Sequence, residues 1–182
     1  MHTALLLIDI QNDYFPGGAM ELVGSVEAGQ RAAMLLAAFR SKGRPVIHVQ
    51  HISTRPGAGF FLPNTRGVEI HECVAPREGE TIVRKHFPNS FRETPLLEHL
   101  RSRNISGLVI AGMMTHMCVD TTTRAAADLG FACKLAHDAC ATRALSFGGS
   151  TVAAAEVQTA FVASLDGFFA KVQAAADLCA GL

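Results

Sequence analysis

The chain has 182 residues, 49% hydrophobic and 18% charged, which is ample apolar material for one core and excludes a disordered segment. Its 16 basic and 16 acidic residues cancel, so no broad field gathers nucleic-acid backbones or anionic membranes, and a neutral surface favours association into a homo-oligomer. Apolar runs are strand-sized, the amino-terminal run meets Asp9 too soon for a secretory signal, and five scattered cysteines without a CxxC pair fit a reducing cytoplasm.

Residues 4–10 (ALLLIDI) are continuously apolar up to Asp9, the pattern of a strand buried on both faces. Residues 26–41 carry Ala32, Leu35, Leu36 and Phe39 at helical spacing, and Arg40, Lys42 and Gly43 mark the helix end. Strands are expected at 45–52 and 81–86. Between them, 53–79 is rich in Pro and Gly and too long for a tight connection, so it reads as a lid or pocket wall. A helix follows over 95–103, with Thr94 as N-cap and Pro95 in the first turn. Then come a strand at 106–114, a helix at 117–129 stopped by Gly130, a strand at 132–136, a helix at 151–165 and a sixth strand at 168–173. Alternating strands and helices give parallel βαβ units, hence one α/β domain over 1–182 with an open sheet covered on both faces.

In such a sheet ligands bind outside the carboxyl ends of the strands. Asp9 closes the first strand, Lys85 the third, and Cys118 lies just past the fourth, where a helix begins. Each has a bland alternative: a loop-capping carboxylate, a solvated lysine, a buried thiol used as filler. Together they make chemical sense. A helix start and an ammonium favour a thiolate, and a carboxylate can take its proton. Cys118 is therefore expected to exist as an anion at neutral pH, and to react with iodoacetamide faster than the other four cysteines.

Three segments carry a resemblance to a known family. DIQNDYFPGG (9–18), RKHFPNSF (84–91) and GMMTHMCVDTTTRAAADLG (112–130) resemble the opening, lysine and nucleophile segments of the isochorismatase-like cysteine hydrolases, which include nicotinamidases and N-carbamoylsarcosine amidases. The likeness spans essentially the whole chain, in order. It implies a three-layer doubly wound fold with a mostly parallel six-stranded sheet and a triad of Asp9, Lys85 and Cys118. It also implies a cis peptide at Met113–Met114 and an oxyanion hole from the amides of Met114 and Cys118. The implied reaction is hydrolysis of a carbon–nitrogen bond in a small amide, carbamoyl or ureide compound through a thioester. The alternatives are a vinyl ether hydrolase, against which Cys118 and the dispersed Arg55, Arg66 and Arg84 argue, and a non-catalytic binding or assembly module of the same fold.

Tyr14 matches a position where the family often sets an aromatic ring against substrate. Phe60 and Phe61 in the long segment are further wall candidates, as is His116 beside the nucleophile; packing into the core or exposure to solvent are their plain alternatives. Asn12 and Asp13 suit side-chain-to-backbone bonds that hold the first loop. His48, His51 and His71 invite a metal site, but the Asp-x-His element that binds a divalent metal in nicotinamidases is replaced here by HVQHISTR (48–55). No metal or cofactor is expected.

Overall fold

The computed structural model describes residues 2–182. Its strands are β1 (Thr3–Ile8), β2 (Val46–His51), β3 (Thr81–Lys85), β4 (Gly107–Met113), β5 (Ala132–Ala141), β6 (Leu145–Phe147), β7 (Ser150–Val152) and β8 (Lys171–Gln173). Six of them form one sheet in the order β3-β2-β1-β4-β5-β8, and each neighbouring pair is parallel. The side chains of β1 show why. Leu5 and Leu7 enter one hydrophobic cluster, while Ala4, Leu6 and Ile8 enter another on the opposite face. Each fully buried leucine contributes about 1.5–3 kcal/mol.

Helices supply the outer layers. α1 (Ser25–Ser41) and α5 (Ala175–Ala180) cover one face through Ala32, Leu35, Phe39 and Leu178. α2 (Leu96–Ser102), α3 (Asp120–Asp128) and α4 (Ala154–Leu165) cover the other through Leu96, Leu100, Ala126 and Leu165. α1 starts after left-handed Gly24 and stops before left-handed Gly43, where its sequence signals place it.

The departures from expectation are local. β5 runs five residues past its expected end, after a register shift between Ile110 and Gly112 of β4. Residues 150–152 are not the start of a helix. They form the second strand of a β6–β7 hairpin that turns on Gly148 and Gly149, both with positive φ. At the expected sixth strand only Lys171–Gln173 pair, and Phe168 is exposed. α5 has no counterpart in the sequence pattern. Pro95, not Thr94, is the α2 N-cap; the Thr94 hydroxyl donates to the Ser90 carbonyl and accepts at 3.4 Å from the Leu96 N–H. Among the described residues no helix is long and apolar enough to cross a membrane.

The winding order sets the site. The chain moves outward from β1 to β2 to β3, then returns to lay β4 against β1. The connections leave this central pair in opposite directions, which opens a crevice at its carboxyl ends.

Candidate active site

Asp9 leaves β1 in a left-handed conformation (φ +50°) that ends the strand at the crevice, and its backbone N–H is held by the Val49 carbonyl at 3.0 Å. Across from it, Gly112 of β4 passes so close to β1 that a Cβ would lie 2.0 Å from the Ile8 carbonyl oxygen; its φ of +140° also requires glycine. The cis peptide between Met113 and Met114 follows. The chain then makes one wide π-helical turn, Thr115–Val119, before α3 begins. The amides of Met117 and Val119, which flank Cys118, both donate to the Met114 carbonyl, at 3.0 and 3.2 Å. This turn presents the Cys118 sulfur to the pocket.

Lys85 comes from the edge strand β3, two strands away, or roughly 10 Å at ordinary strand spacing. Its four-carbon stem crosses beneath the end of β2, and Nζ lies 2.8 Å from Asp9 Oδ2 while donating to the Pro88 carbonyl at 3.0 Å. Both members of this ion pair are fully buried. Burial alone would lower the Lys85 pKa, but the Asp9 carboxylate and the Cys118 sulfur outweigh it and hold the pKa above the usual value.

Cys118 behaves differently from the sequence expectation. Burial first, and the Asp9 carboxylate second, push its pKa far up, and the opposing pull of Lys85 is smaller. The free thiol is therefore protonated at neutral pH. The ammonium is legible in the sequence, whereas the desolvation arises only once the sulfur is packed into the fold. A protonated, buried thiol reacts slowly with iodoacetamide, contrary to the sequence expectation. Tyr14 is likewise raised well above its ordinary value, chiefly by burial and then by Cys118 and Asp9.

A cavity of about 430 Å³ opens over the sulfur. Tyr14, Phe60, Phe87, Pro88, Met114 and Met117 give it an apolar body, and Ser53, Thr54, Arg55, His51 and His86 add polar groups. Tyr14 and Phe60 thus stand where a substrate would meet them. Phe61 and His116 do not. Phe61 is fully buried behind Tyr14, ring centroids 4.6 Å apart, and its N–H is held by Asp13 Oδ2 at 2.6 Å. His116 turns away from the crevice to bond the Thr142 hydroxyl and meet Phe161 edge-on. Adjacent residues in a chain point in different directions, and neither periodicity nor spacing revealed which of them faced the pocket.

The first loop and the long segment are joined by side chains. Asn12 Nδ2 donates to the Arg66 carbonyl at 2.8 Å, and Asp13 accepts from Ala19 and Phe61. Gln11, fully buried, clamps the end of β2: it accepts from the His51 N–H at 2.8 Å and donates to the His51 and Val68 carbonyls at 2.9 and 2.7 Å. This clamp sets His51 beside the pair, with Nδ1 4.0 Å from Asp9 Oδ2. Burial lowers the His51 pKa, so the ring is neutral at pH 7. In the sequence His51 stands only among three histidines that invite a metal; its place beside Asp9 had one available signal, a glutamine two places after a strand-end aspartate. His48 and His71 are packed. The first bonds Glu80, and the second stacks on Phe15 and accepts from the Cys73 N–H. Asp9, His51 and Cys118 each offer a donor atom within 4.8 Å of the others, which makes them the set able to hold a metal ion among the described residues.

Similar proteins span most of the chain. The chain is 51% identical over 173 residues to the uncharacterized isochorismatase family protein YddQ of Bacillus subtilis, covering 95% of this chain and 96% of that one. A protein of Oleispira antarctica solved as an isochorismatase hydrolase superposes with a TM-score of 0.95 at 52% identity, covering 99% and 97% of the two chains. The ureidoacrylate amidohydrolase RutB of an Enterobacter species is 26% identical over 98% of this chain and 88% of its own. A family model described as Isochorismatase domain matches residues 3–177, and the chain belongs to the isochorismatase family of hydrolases.

Proposed function

We propose that the chain is a cysteine hydrolase that cleaves a carbon–nitrogen bond in a small amide, carbamoyl or ureide compound, with Cys118 as nucleophile, Asp9 as general base and Lys85 as the fixed cation. The observation that carries the reading is the fully buried Asp9–Lys85 pair set against a pocket-lining sulfur at the carboxyl edge of β1 and β4. A fully buried carboxylate held by a single ammonium at 2.8 Å is costly to maintain for stability alone and is well placed to accept a proton.

The protonated resting thiol fixes the order of events. As the substrate carbonyl approaches, the Cys118 proton moves to Asp9, and the negative charge passes from carboxylate to sulfur while Lys85 stays within reach of both. The new carbon–sulfur bond forms as the carbonyl oxygen takes up charge, stabilised by the amides of Met114 and Cys118; one such donor is worth about 2.7–4 kcal/mol. Asp9 then returns the proton to the departing nitrogen, which leaves as ammonia or an amine. Water, deprotonated by Asp9, attacks the thioester, and the released sulfur regains its proton as the acid departs. The apolar cavity over the sulfur suits a compact acyl group with few charges.

The test is ammonia or amine release from a panel of small amides and ureido compounds, with intact-protein mass spectrometry at short times. Wild type should turn over at least one member and show a covalent adduct on Cys118. Cys118→Ala should lose at least about a thousandfold in rate. Undiminished turnover by Cys118→Ala would sink the reading.

A further inference from the structure

We propose that the same crevice is a binding site for a borderline or soft divalent cation, Zn²⁺ above all, held by a carboxylate oxygen of Asp9, Nδ1 of His51 and the sulfur of Cys118, and that the bound ion closes the enzyme reversibly. Three kinds of donor converge there from three elements: the end of β1, the end of β2 and the turn after β4. Their atoms lie within 4.8 Å of one another, with His51 Nδ1 4.0 Å from Asp9 Oδ2. Zinc bonds of about 2.0–2.3 Å in tetrahedral array set one oxygen, one nitrogen and one sulfur roughly 3.3–3.6 Å apart, so the side chains need to close by up to about 1.5 Å.

Two further observations point to a cation. Asp9 is fully buried, and of its two oxygens Oδ2 meets Lys85 Nζ at 2.8 Å while Oδ1 has no hydrogen-bond partner. His51 cannot drift, because Gln11 holds its backbone from both sides. The donor set is one oxygen, one imidazole nitrogen and one sulfur, which selects zinc and cobalt over magnesium and calcium. The pocket side leaves a fourth position for water.

Binding is balanced by proton release: the Cys118 thiol and M²⁺ give the metal thiolate and one H⁺. The ion takes the nucleophile and its base together, and Lys85 remains beside a carboxylate now shared with the metal.

The inference needs no turnover to be examined. Metal-free protein is titrated with Co²⁺ while the near-ultraviolet thiolate-to-cobalt charge-transfer band is followed, and Zn²⁺ is then added in competition. Wild type should develop the band at one equivalent and lose it to Zn²⁺, while Mg²⁺ leaves it unchanged. Cys118→Ser should show no band. Cys73→Ser and Cys179→Ser, which alter the two half-buried cysteines, should leave it intact. His51→Ala should weaken Co²⁺ binding by at least the roughly tenfold that loss of a mere supporting group costs. No band in folded wild type, a band that survives Cys118→Ser, or unaltered affinity in His51→Ala would each overturn the site. A silent cobalt titration leaves the hydrolase reading standing, and an inert enzyme that binds cobalt leaves this one standing.

Discussion

At the scale of the residue, Asp9 and Lys85 are each the other's only counter-charge of short range among the described residues, and both are sealed from water. Removing one leaves an uncompensated buried charge. Lys85→Met should cost about 3–5 kcal/mol of folding stability, measured by urea unfolding, and the Asp9→Asn, Lys85→Met double variant should recover most of it. Additive losses in that cycle would mean that the pair is not interdependent. The three polar residues were legible because each sits where a strand run ends. Cys118's protonation and His51's place beside Asp9 were not, since one depends on burial and the other on β1 lying against β2.

At the scale of the element, the β1–β4 contact at Gly112 and the tie between α1 and β3 make separate demands. Gly112→Ala drives a Cβ into the Ile8 carbonyl and should cost about 3 kcal/mol, read as a lowered midpoint in the same unfolding experiment. Glu80, just before β3, receives two bonds from Arg40 of α1 at 2.7 and 2.8 Å, one from the Arg77 N–H and one shared with His48. The Arg40 guanidinium holds its pKa down to about 2. A depressed carboxylate stabilises the fold fully above its ordinary pKa near 4.5 and loses that contribution as pH falls toward 2. The contribution is on the order of 2 kcal/mol after screening by solvent. Acid unfolding of Glu80→Gln should therefore be flatter across that window than wild type. The long, continuously apolar strands β1 and β4 declared themselves in the sequence. The three-residue strands of the hairpin did not, because three residues show no period, and β8 was legible as a strand but not in its short extent.

At the scale of the whole molecule, the long segment after β2 is a wall rather than a free lid. Its first part, from Ser53 to Phe60, lines the cavity, and its second part is pinned to the first loop through Phe61, Arg66 and Val68. Asp13→Ala removes the acceptors for Ala19 and Phe61 and leaves the Phe61 N–H buried without a partner. It should make the 53–79 segment more sensitive to limited proteolysis and raise KM more than it lowers kcat. A variant that cleaves no faster and binds substrate as wild type does would show that packing alone holds the wall. The domain layout and layer order followed from alternating strands and helices; which loop met which required the folded chain.

The Gln11 clamp has an evolutionary reading. One side chain steadies the rim of the reactive crevice and also the far anchorage of the segment that encloses the guest. Residues 53–60 hang between those fastenings like a replaceable panel. Descendants of this chain can lengthen, shorten or recolour that panel, and so change diet, while the sulfur and its two attendants stay where they are.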